Sequence, residues 1–349
     1  MVAPVSVIEG PYLRDILDQP RAVAETHRRL EPTAELERVA RALADGRYRR
    51  IVLTGMGSSY FALHPLHLRL VEDGRPSFMV ETSELLHYQR RLLEEDTLLV
   101  LVSQSGRSAE IVRLLAEARG RLHTIGVTNT ARSPLGRDAT AVVLTHAGEE
   151  ATVSCKTYVA SQVALAWLGS VLTGQDETAT REALLSTVEA AGTYLAGWRG
   201  HVAELGALLA GVRAVYYAGR GPSLAAALCA GLITKESTYR PAEGMSGAAF
   251  RHGPMEILSD EIMLLAFAGE ARTRELNAAL VRDARAAGGR AHLVSEDAEH
   301  AVFRLPTLPP VARPVMELLP VEMVTLALAA LDGREAGRFR IAGKVTTTE

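Results

Sequence analysis

Residues Leu98 to Ser108, LLVLVSQSGRS, combine a strand, a small polar turn and the start of a helix. The Leu and Val run carries no polar residue, which is typical of a strand covered on both faces of a parallel sheet. The run stops at Ser103, and the residues from Ser108 onward have the apolar spacing of a helix. Such a turn directs OH and N–H groups toward the positive end of a helix dipole, which favours an anion such as phosphate. Taken alone, the same residues would also suit a tight turn and a helix N-cap.

A second strand, Arg50 to Thr54, ends in the turn Gly55-Met56-Gly57-Ser58-Ser59. This GxGSS turn lacks the third glycine of a dinucleotide-binding fingerprint, and Glu81 is only a weak candidate for the acidic ribose ligand. We therefore expect no nicotinamide cofactor.

Strands and helices alternate along the whole chain, which predicts an α/β protein with parallel sheets covered by helices on both faces. The predicted strands are 50–54, 76–80, 98–102, 123–128 and 141–145 in the first half, and 214–218, 261–267, 290–294 and 302–305 in the second.

The two halves resemble diverged copies of one unit. VLTGMGSS corresponds to VYYAGRGPS, and LLVLVSQSG corresponds to MLLAFAGEA. Glu270 in the second copy would repel a phosphate, so we expect the anion site on the first sheet only. It should lie at the carboxyl ends of the strands, where open α/β sheets bind ligands.

Composition excludes several function classes. The net charge is −3, and no basic run predicts binding to nucleic acid. We expect no membrane segment, because no apolar stretch reads as long enough, and no secretory signal at the N-terminus. Cys155 and Cys229 are interpreted as reduced thiols of a cytoplasmic protein. The ten histidines form no HxH or HExxH cluster, so no metal is expected.

Several motifs together resemble the sugar isomerase (SIS) domain family, in particular the isomerase half of glucosamine-6-phosphate synthase. Besides the GxGSS and SQSGRS turns, they are Val153-Ser154-Cys155-Lys156 (family VxSTK), Asp15 to Pro20 (EIxEQP), Lys235 to Tyr239 (KEISY), Phe250 to Pro254 (KHGP type) and Lys344 to Glu349 (KSVTVE). We expect no counterpart of the synthase's glutaminase domain, because the residues after Met1 resemble the isomerase half directly. The resemblance therefore points to stand-alone amino-sugar phosphate deaminase/isomerases or to deglycases.

The resemblance implies two tandem, flavodoxin-like SIS domains with three α/β/α layers. The expected division is an N-terminal helical segment (1–48), a first domain (49–175), linking helices (176–210), a second domain (211–335) and a tail (336–349) that closes over the site. The expected assembly is a homodimer.

The resemblance also implies the site residues. Phosphosugar binding falls to Gly57, Ser58, Ser59, Ser103, Gln104, Ser105, Ser108 and Ser154. Glu236 would be the base, and His252, supplied by the neighbouring subunit, would open the sugar ring. Lys344 in the tail would assist ring opening or form an imine with the ketose.

Two departures from the synthase pattern bear on which reaction is expected. Ile233 stands where the synthase has a lysine, and Ala248-Ala249-Phe250 replaces its GEL. We therefore expect deamination with isomerisation of an amino-sugar 6-phosphate. The alternatives are a deglycase that splits an amine-linked sugar phosphate and a non-catalytic phosphosugar-binding regulator.

Overall fold

The computed structural model describes residues 5–341 and 343–346, which form two compact units. The first-sheet unit contains Arg21–Glu149, Lys156–Leu185 and residues 343–346. The second-sheet unit contains residues 5–20, Glu150–Cys155 and Ser186–Ile341. Each unit thus combines separate stretches of chain, and the division at residues 48, 175, 210 and 335 stays a prediction.

The α-helices have bounds that follow from their apolar spacing and their end residues. In chain order they are α1 (Pro11–Leu17), α2 (Gln19–Arg29), α3 (Ala34–Ala44), α4 (Gly57–Phe61), α5 (His64–Glu72), α6 (Thr82–His87), α7 (Ala109–Ala118), α8 (Pro134–Asp138), α9 (Lys156–Thr173), α10 (Glu177–Ala196), α11 (Trp198–Leu208), α12 (Leu224–Thr238), α13 (Gly247–Arg251), α14 (Ala271–Ala286), α15 (Arg313–Met316) and α16 (Leu319–Leu331). Short 3-10 helices span Val5–Ile8, Arg90–Leu92, Gly221–Ser223, Pro254–Ile257 and Ala301–Phe303. Helix α2 begins at Gln19, and Pro20 fits in its first turn because the missing N–H is not needed there.

The first sheet is parallel throughout and has the order β2-β1-β3-β4-β5. Its strands are β1 (Arg50–Gly55), β2 (Ser77–Met79), β3 (Thr97–Val102), β4 (His123–Thr128) and β5 (Ala141–Leu144). The chain leaves β1 toward β2 on one side and returns to β3 on the other, so β1 and β3 flank the point where the strand order reverses. Gly55 is paired with Val102, which brings the turns after β1 and β3 to the same edge.

Strand β3 lies at the centre of the core of the first-sheet unit. All six of its residues are buried. Leu99 and Leu101 pack with Ile111 and Leu114 of α7 in one apolar cluster. Burial of each leucine contributes about 1.5–3 kcal/mol. This packing fixes the angle at which α7 leaves the turn after β3.

The second sheet is also parallel, with the order β7-β6-β8-β9. Its strands are β6 (Ala214–Gly219), β7 (Ala242–Ser246), β8 (Ile262–Phe267) and β9 (Arg290–Val294). Two parallel sheets with interleaved helices confirm the predicted fold class.

The expected strand at residues 302–305 is wrong. Residues Ala301–Phe303 form a 3-10 helix, and only an isolated bridge joins Ser295 to Arg304. The reason is that side chains bind the backbone groups that a ladder would use. The hydroxyl of Tyr194 donates to the carbonyl of Val302 at 2.6 Å. The N–H of Val302 donates to the carboxylate of Glu204 at 3.2 Å.

Strand β7 was missed because its sequence, AEGMS, has no apolar run. It forms because helix α12 packs directly on it. A Cβ atom on Gly244 would lie 1.9 Å from the carbonyl oxygen of Ala227, so only glycine permits this approach. The contact is invisible in β7 alone.

One stretch of the described residues, Arg313–Leu331, is long and apolar enough to cross a membrane by length and composition. The expectation that no stretch reaches this length is therefore wrong. In the structure 94% of the most apolar 18-residue stretch of this segment is buried, as is usual for the core helix of a folded protein.

Candidate active site

The turn after β3, from Ser103 to Ser108, is held together by hydrogen bonds of its own serines, and we call it the serine turn. The hydroxyl of Ser103 accepts the N–H of Gly106 at 3.1 Å, and the hydroxyl of Ser105 accepts the N–H of Arg107 at 3.2 Å. Ser108 lies just before α7, and its hydroxyl is 3.4 Å from that of Ser103. Because the first turn of a helix has N–H groups without intrahelical partners, this arrangement can bind an anion.

Gly106 makes the turn possible. Its φ is +63°, a left-handed conformation that favours glycine. A Cβ atom there would also lie 2.1 Å from the Ser133 hydroxyl oxygen. Gln104 anchors the other side, because its carbonyl accepts the N–H of Asn129 at 3.0 Å. The turn is therefore held from β3, β4 and α8 at once.

The turn after β1 lies at the same edge of the sheet. Gly57 has a φ of +52° and begins the short helix α4, in which Ser58 and Ser59 are half-buried. The structure thus brings seven of the predicted binding residues to one edge: Gly57, Ser58, Ser59, Ser103, Gln104, Ser105 and Ser108.

The described part of the tail, residues 343–346, belongs to this same unit. The carbonyl of Thr346 accepts the N–H of Ala109, the first residue of α7, at 3.3 Å. Lys344, two residues earlier, is half-buried. The tail segment is therefore attached to the helix that begins at the serine turn. Residues 347–349 of the predicted tail motif lie outside the described residues.

Glu236, Ser154 and His252 belong to the second-sheet unit. Glu236 is half-buried on α12, and its neighbour Lys235 is exposed. Ser154 is half-buried in the segment that precedes α9, which begins at Lys156. His252 is exposed and directly follows the short helix α13.

Three carboxylates of the second-sheet unit act electrostatically on the buried thiol of Cys229. Burial is the largest cause that raises the pKa of this thiol, and the charges of Glu236, Glu322 and Glu150 raise it further. Glu322 is fully buried, and its two oxygens accept the side-chain amide of Gln19 at 2.7 Å each. Burial holds the pKa of Glu322 well above its usual range.

The sequence analysis missed Glu322 and Glu150. Glu322 could have been found as the one charged residue in the apolar run LLPVEMVTLALAAL. Glu150 accepts the N–H of Cys155 at 2.9 Å and so shapes the turn that contains Ser154. Glu150 therefore supports a predicted site position through the backbone.

The corresponding edge of the second sheet is acidic. The hydroxyl of Ser223 donates to Glu317 at 2.6 Å, and Glu317 is only 2% exposed. Burial raises the pKa of Glu317 to about 7, and the charges of Glu296 and Glu270 add to this effect. Such an edge disfavours a phosphate, in agreement with the argument from Glu270.

Other predictions concern cysteines and metals. Neither Cys155 nor Cys229 forms a disulfide, so the expectation of reduced thiols is confirmed, whereas the cytoplasmic location stays a prediction. Residues 5–341 and 343–346 contain no group of three His, Cys, Asp or Glu side chains that could hold a metal.

The fold and the serine turn define a class. The SIS domain family matches residues 47–169, the stretch that carries β1 to β5 and both predicted binding turns. Residues 47–169 thus carry a SIS domain.

Within this class the chain is similar to glutamine–fructose-6-phosphate aminotransferase (isomerizing) of Pyrococcus horikoshii, at 30% identity over 97% of the chain. The match spans 57% of the length of that relative, which agrees with a resemblance to its isomerase half alone.

Two solved structures extend the comparison. A protein of Silicibacter pomeroyi DSS-3 with a provisional phosphosugar isomerase assignment has a TM-score of 0.79 and 26% identity, covering 93% of this chain and 99% of its own. Glucosamine-6-phosphate deaminase of Thermotoga maritima has a TM-score of 0.78, covering 96% of this chain and 99% of its own. At 16% identity, the second likeness concerns the fold alone.

Proposed function

We propose that this protein is a phosphosugar isomerase that converts an amino-sugar 6-phosphate, such as glucosamine 6-phosphate, to the ketose 6-phosphate and ammonia. The observation that supports this most is the serine turn at the β1/β3 switch point, with the Lys344 segment bound to the helix that begins there. A phosphate held by this turn would fix the register of an open-chain sugar.

The reaction needs three steps. The ring opens to a C1 aldehyde, with His252 moving the proton between O5 and O1. Glu236 removes the C2 proton and returns it to C1, while one proton passes from the amine nitrogen to O1, so that the aldehyde becomes an alcohol and the C2 amine becomes an imine. Water then adds to C2, and ammonia leaves as the ketone forms. Substrate and one water thus give ketose phosphate and ammonia, with no redox change.

Lys344 would stabilise the open-chain form near the serine turn or take the place of the water by forming a second imine. Formation of an imine requires that the lysine attack as a neutral amine.

We propose a homodimer as the working assembly. His252 is exposed on the surface of its own chain, which suits a residue that completes the site of a second copy.

The test of the reaction is release of ammonia and ketose phosphate from glucosamine 6-phosphate without added glutamine. Glu236→Gln should lower kcat by at least about 100-fold, the usual contribution of a general base. Glu243→Gln, an exposed glutamate on β7, is the control. If the protein releases a free amine from amine-linked sugar phosphates but no ammonia from glucosamine 6-phosphate, it is a deglycase and not a deaminase. Binding of phosphosugar without turnover would make the protein a regulator.

A further inference from the structure

An arginine-rich cleft lies at the C-terminal end of α12, in the second-sheet unit. Its volume is about 570 Å³, and it is lined by Tyr239, Arg334, Glu335, Arg338, Phe339 and Arg340. None of these residues belongs to the serine turn, which is in the other unit. The cleft therefore needs its own explanation.

Tyr239 organises the cleft. Its φ is +59°, which costs a bulky residue roughly 1–3 kcal/mol and persists only where neighbours hold it. Its hydroxyl donates to the carbonyl of Arg338. The guanidinium carbons of Arg334 and Arg340 lie 5.2 and 5.0 Å from the ring centroid. Stacking on the ring orients each guanidinium. Arg334 also donates to the carbonyl of Thr238 at 3.4 Å, whereas the N–H edge of Arg340 remains available to a ligand.

The cleft carries uncompensated positive charge. The nearby carboxylate of Asp332 is engaged by Arg240, with distances of 2.6 and 3.1 Å, and is 3.8 Å from Arg334. Glu335 packs toward Gly10, where a Cβ atom would lie 2.6 Å from its Oε1. Within the described residues, Arg338 and Arg340 take part in no ion pair, and both are exposed.

We propose that this cleft binds a small phosphorylated ligand at a site distinct from the serine turn. Guanidinium groups bind phosphate oxygens through paired N–H donors, and three of them converge on one cleft here. The chain has a net charge of −3, so the positive charge is local. A local patch of this size suits a small molecule rather than a polyanion.

The experiment counts bound inorganic phosphate per chain by equilibrium dialysis at low ionic strength. The wild-type chain should bind two phosphate ions, one at the serine turn and one at the cleft. Arg338→Ala with Arg340→Ala should bind one, with at least a tenfold loss of affinity at the cleft. Ser103→Ala with Ser105→Ala should also bind one, retained at the cleft. Arg213→Ala with Arg282→Ala, two exposed arginines elsewhere, is the control.

Crystals soaked in tungstate, a tetrahedral dianion, provide a second readout. We expect an anomalous peak within hydrogen-bond distance of Arg338 and Arg340. An arginine pair variant that folds, as judged by circular dichroism, and still binds as much phosphate as the wild type would overturn the proposal. So would a tungstate-free cleft. Loss of phosphate in the arginine variant with no effect of the serine variant would instead overturn the serine-turn site and leave the cleft.

Discussion

Ser103 and Ser105 each accept a backbone N–H within their own turn, so their hydroxyl hydrogens remain to be donated to a ligand. Hydrogen bonds to a charged group contribute about 1.5–3 kcal/mol each. We expect Ser103→Ala with Ser105→Ala to weaken binding of glucosamine 6-phosphate by at least about 100-fold, measured by titration calorimetry. Ser259→Ala, at an exposed turn, should leave the affinity unchanged. Equal affinities in all three proteins would contradict the anion site.

Gly106 allows a test with a matched control. In Gly106→Ala the new Cβ atom sits on a backbone with positive φ and also collides with the Ser133 side chain. In Gly120→Ala the φ is likewise positive, at +71°, but no heavy atom lies within 4 Å of the new Cβ atom. We expect Gly106→Ala to lower the free energy of unfolding by about 2 kcal/mol or more, and Gly120→Ala by about 1 kcal/mol. Urea denaturation measures both values. A Gly106→Ala cost no larger than that of Gly120→Ala would show that the turn can relax.

Glu317 predicts a pH dependence of stability. Its pKa of about 7 in the folded chain lies above its ordinary value of 4.5, so the folded state retains a proton that the unfolded state releases. The free energy of unfolding should therefore fall as the pH rises from 4.5 to 7, by about 3 kcal/mol, and then level off.

The measurement is urea denaturation across this pH range. Glu317→Gln should remove this part of the slope and be the more stable protein at pH 8. The exposed Glu275→Gln should keep the wild-type slope. A Glu317→Gln profile parallel to that of the wild type would show that Glu317 is ionised throughout.

Among the elements, the tail segment has the most direct link to the site. The bond from Ala109 to Thr346 holds the segment at the start of α7. We expect Lys344→Arg to keep the positive charge but to lower kcat by about 100-fold, because arginine forms no imine and transfers no proton near neutral pH.

Borohydride reduction in the presence of fructose 6-phosphate separates the two roles of Lys344. If the imine forms, mass spectrometry should find the sugar adduct on Lys344 in the wild type and none in Lys344→Arg. Full activity of Lys344→Arg would show that Lys344 contributes only its positive charge and neither forms an imine nor transfers a proton.

The elements that the sequence predicted well are those whose cause is local. β3 and the serine turn could be predicted because an apolar run, small residues and helical spacing follow one another within Leu98 to Ser108. β7 and the 3-10 helix at Ala301–Phe303 could not, because Ala227 and Tyr194 act on them from distant positions. The buried pair of Gln19 and Glu322 was hidden for the same reason.

At the scale of the whole molecule, the shared-site proposal gives a test by mixing. Glu236→Gln and His252→Ala should each be inactive. If His252 serves the neighbouring copy, mixing the two variants after unfolding and refolding should restore about a quarter of the wild-type activity. Half of the dimers are then mixed, and each mixed dimer keeps one intact site. No recovery, with mixed dimers shown by mass spectrometry, would place His252 in the site of its own chain.

The bonds between Gln19 and Glu322 join positions 303 residues apart in one unit. At about 5–20 residues per second, a ribosome needs roughly 15–60 s to make the stretch between them. During that interval residues 5–20 have emerged without the helix that buries them. The last strand of the second sheet is also still unmade for most of it. The second-sheet unit therefore closes only after α16 has been made, and a nascent chain stalled before α16 would be a natural client for chaperones.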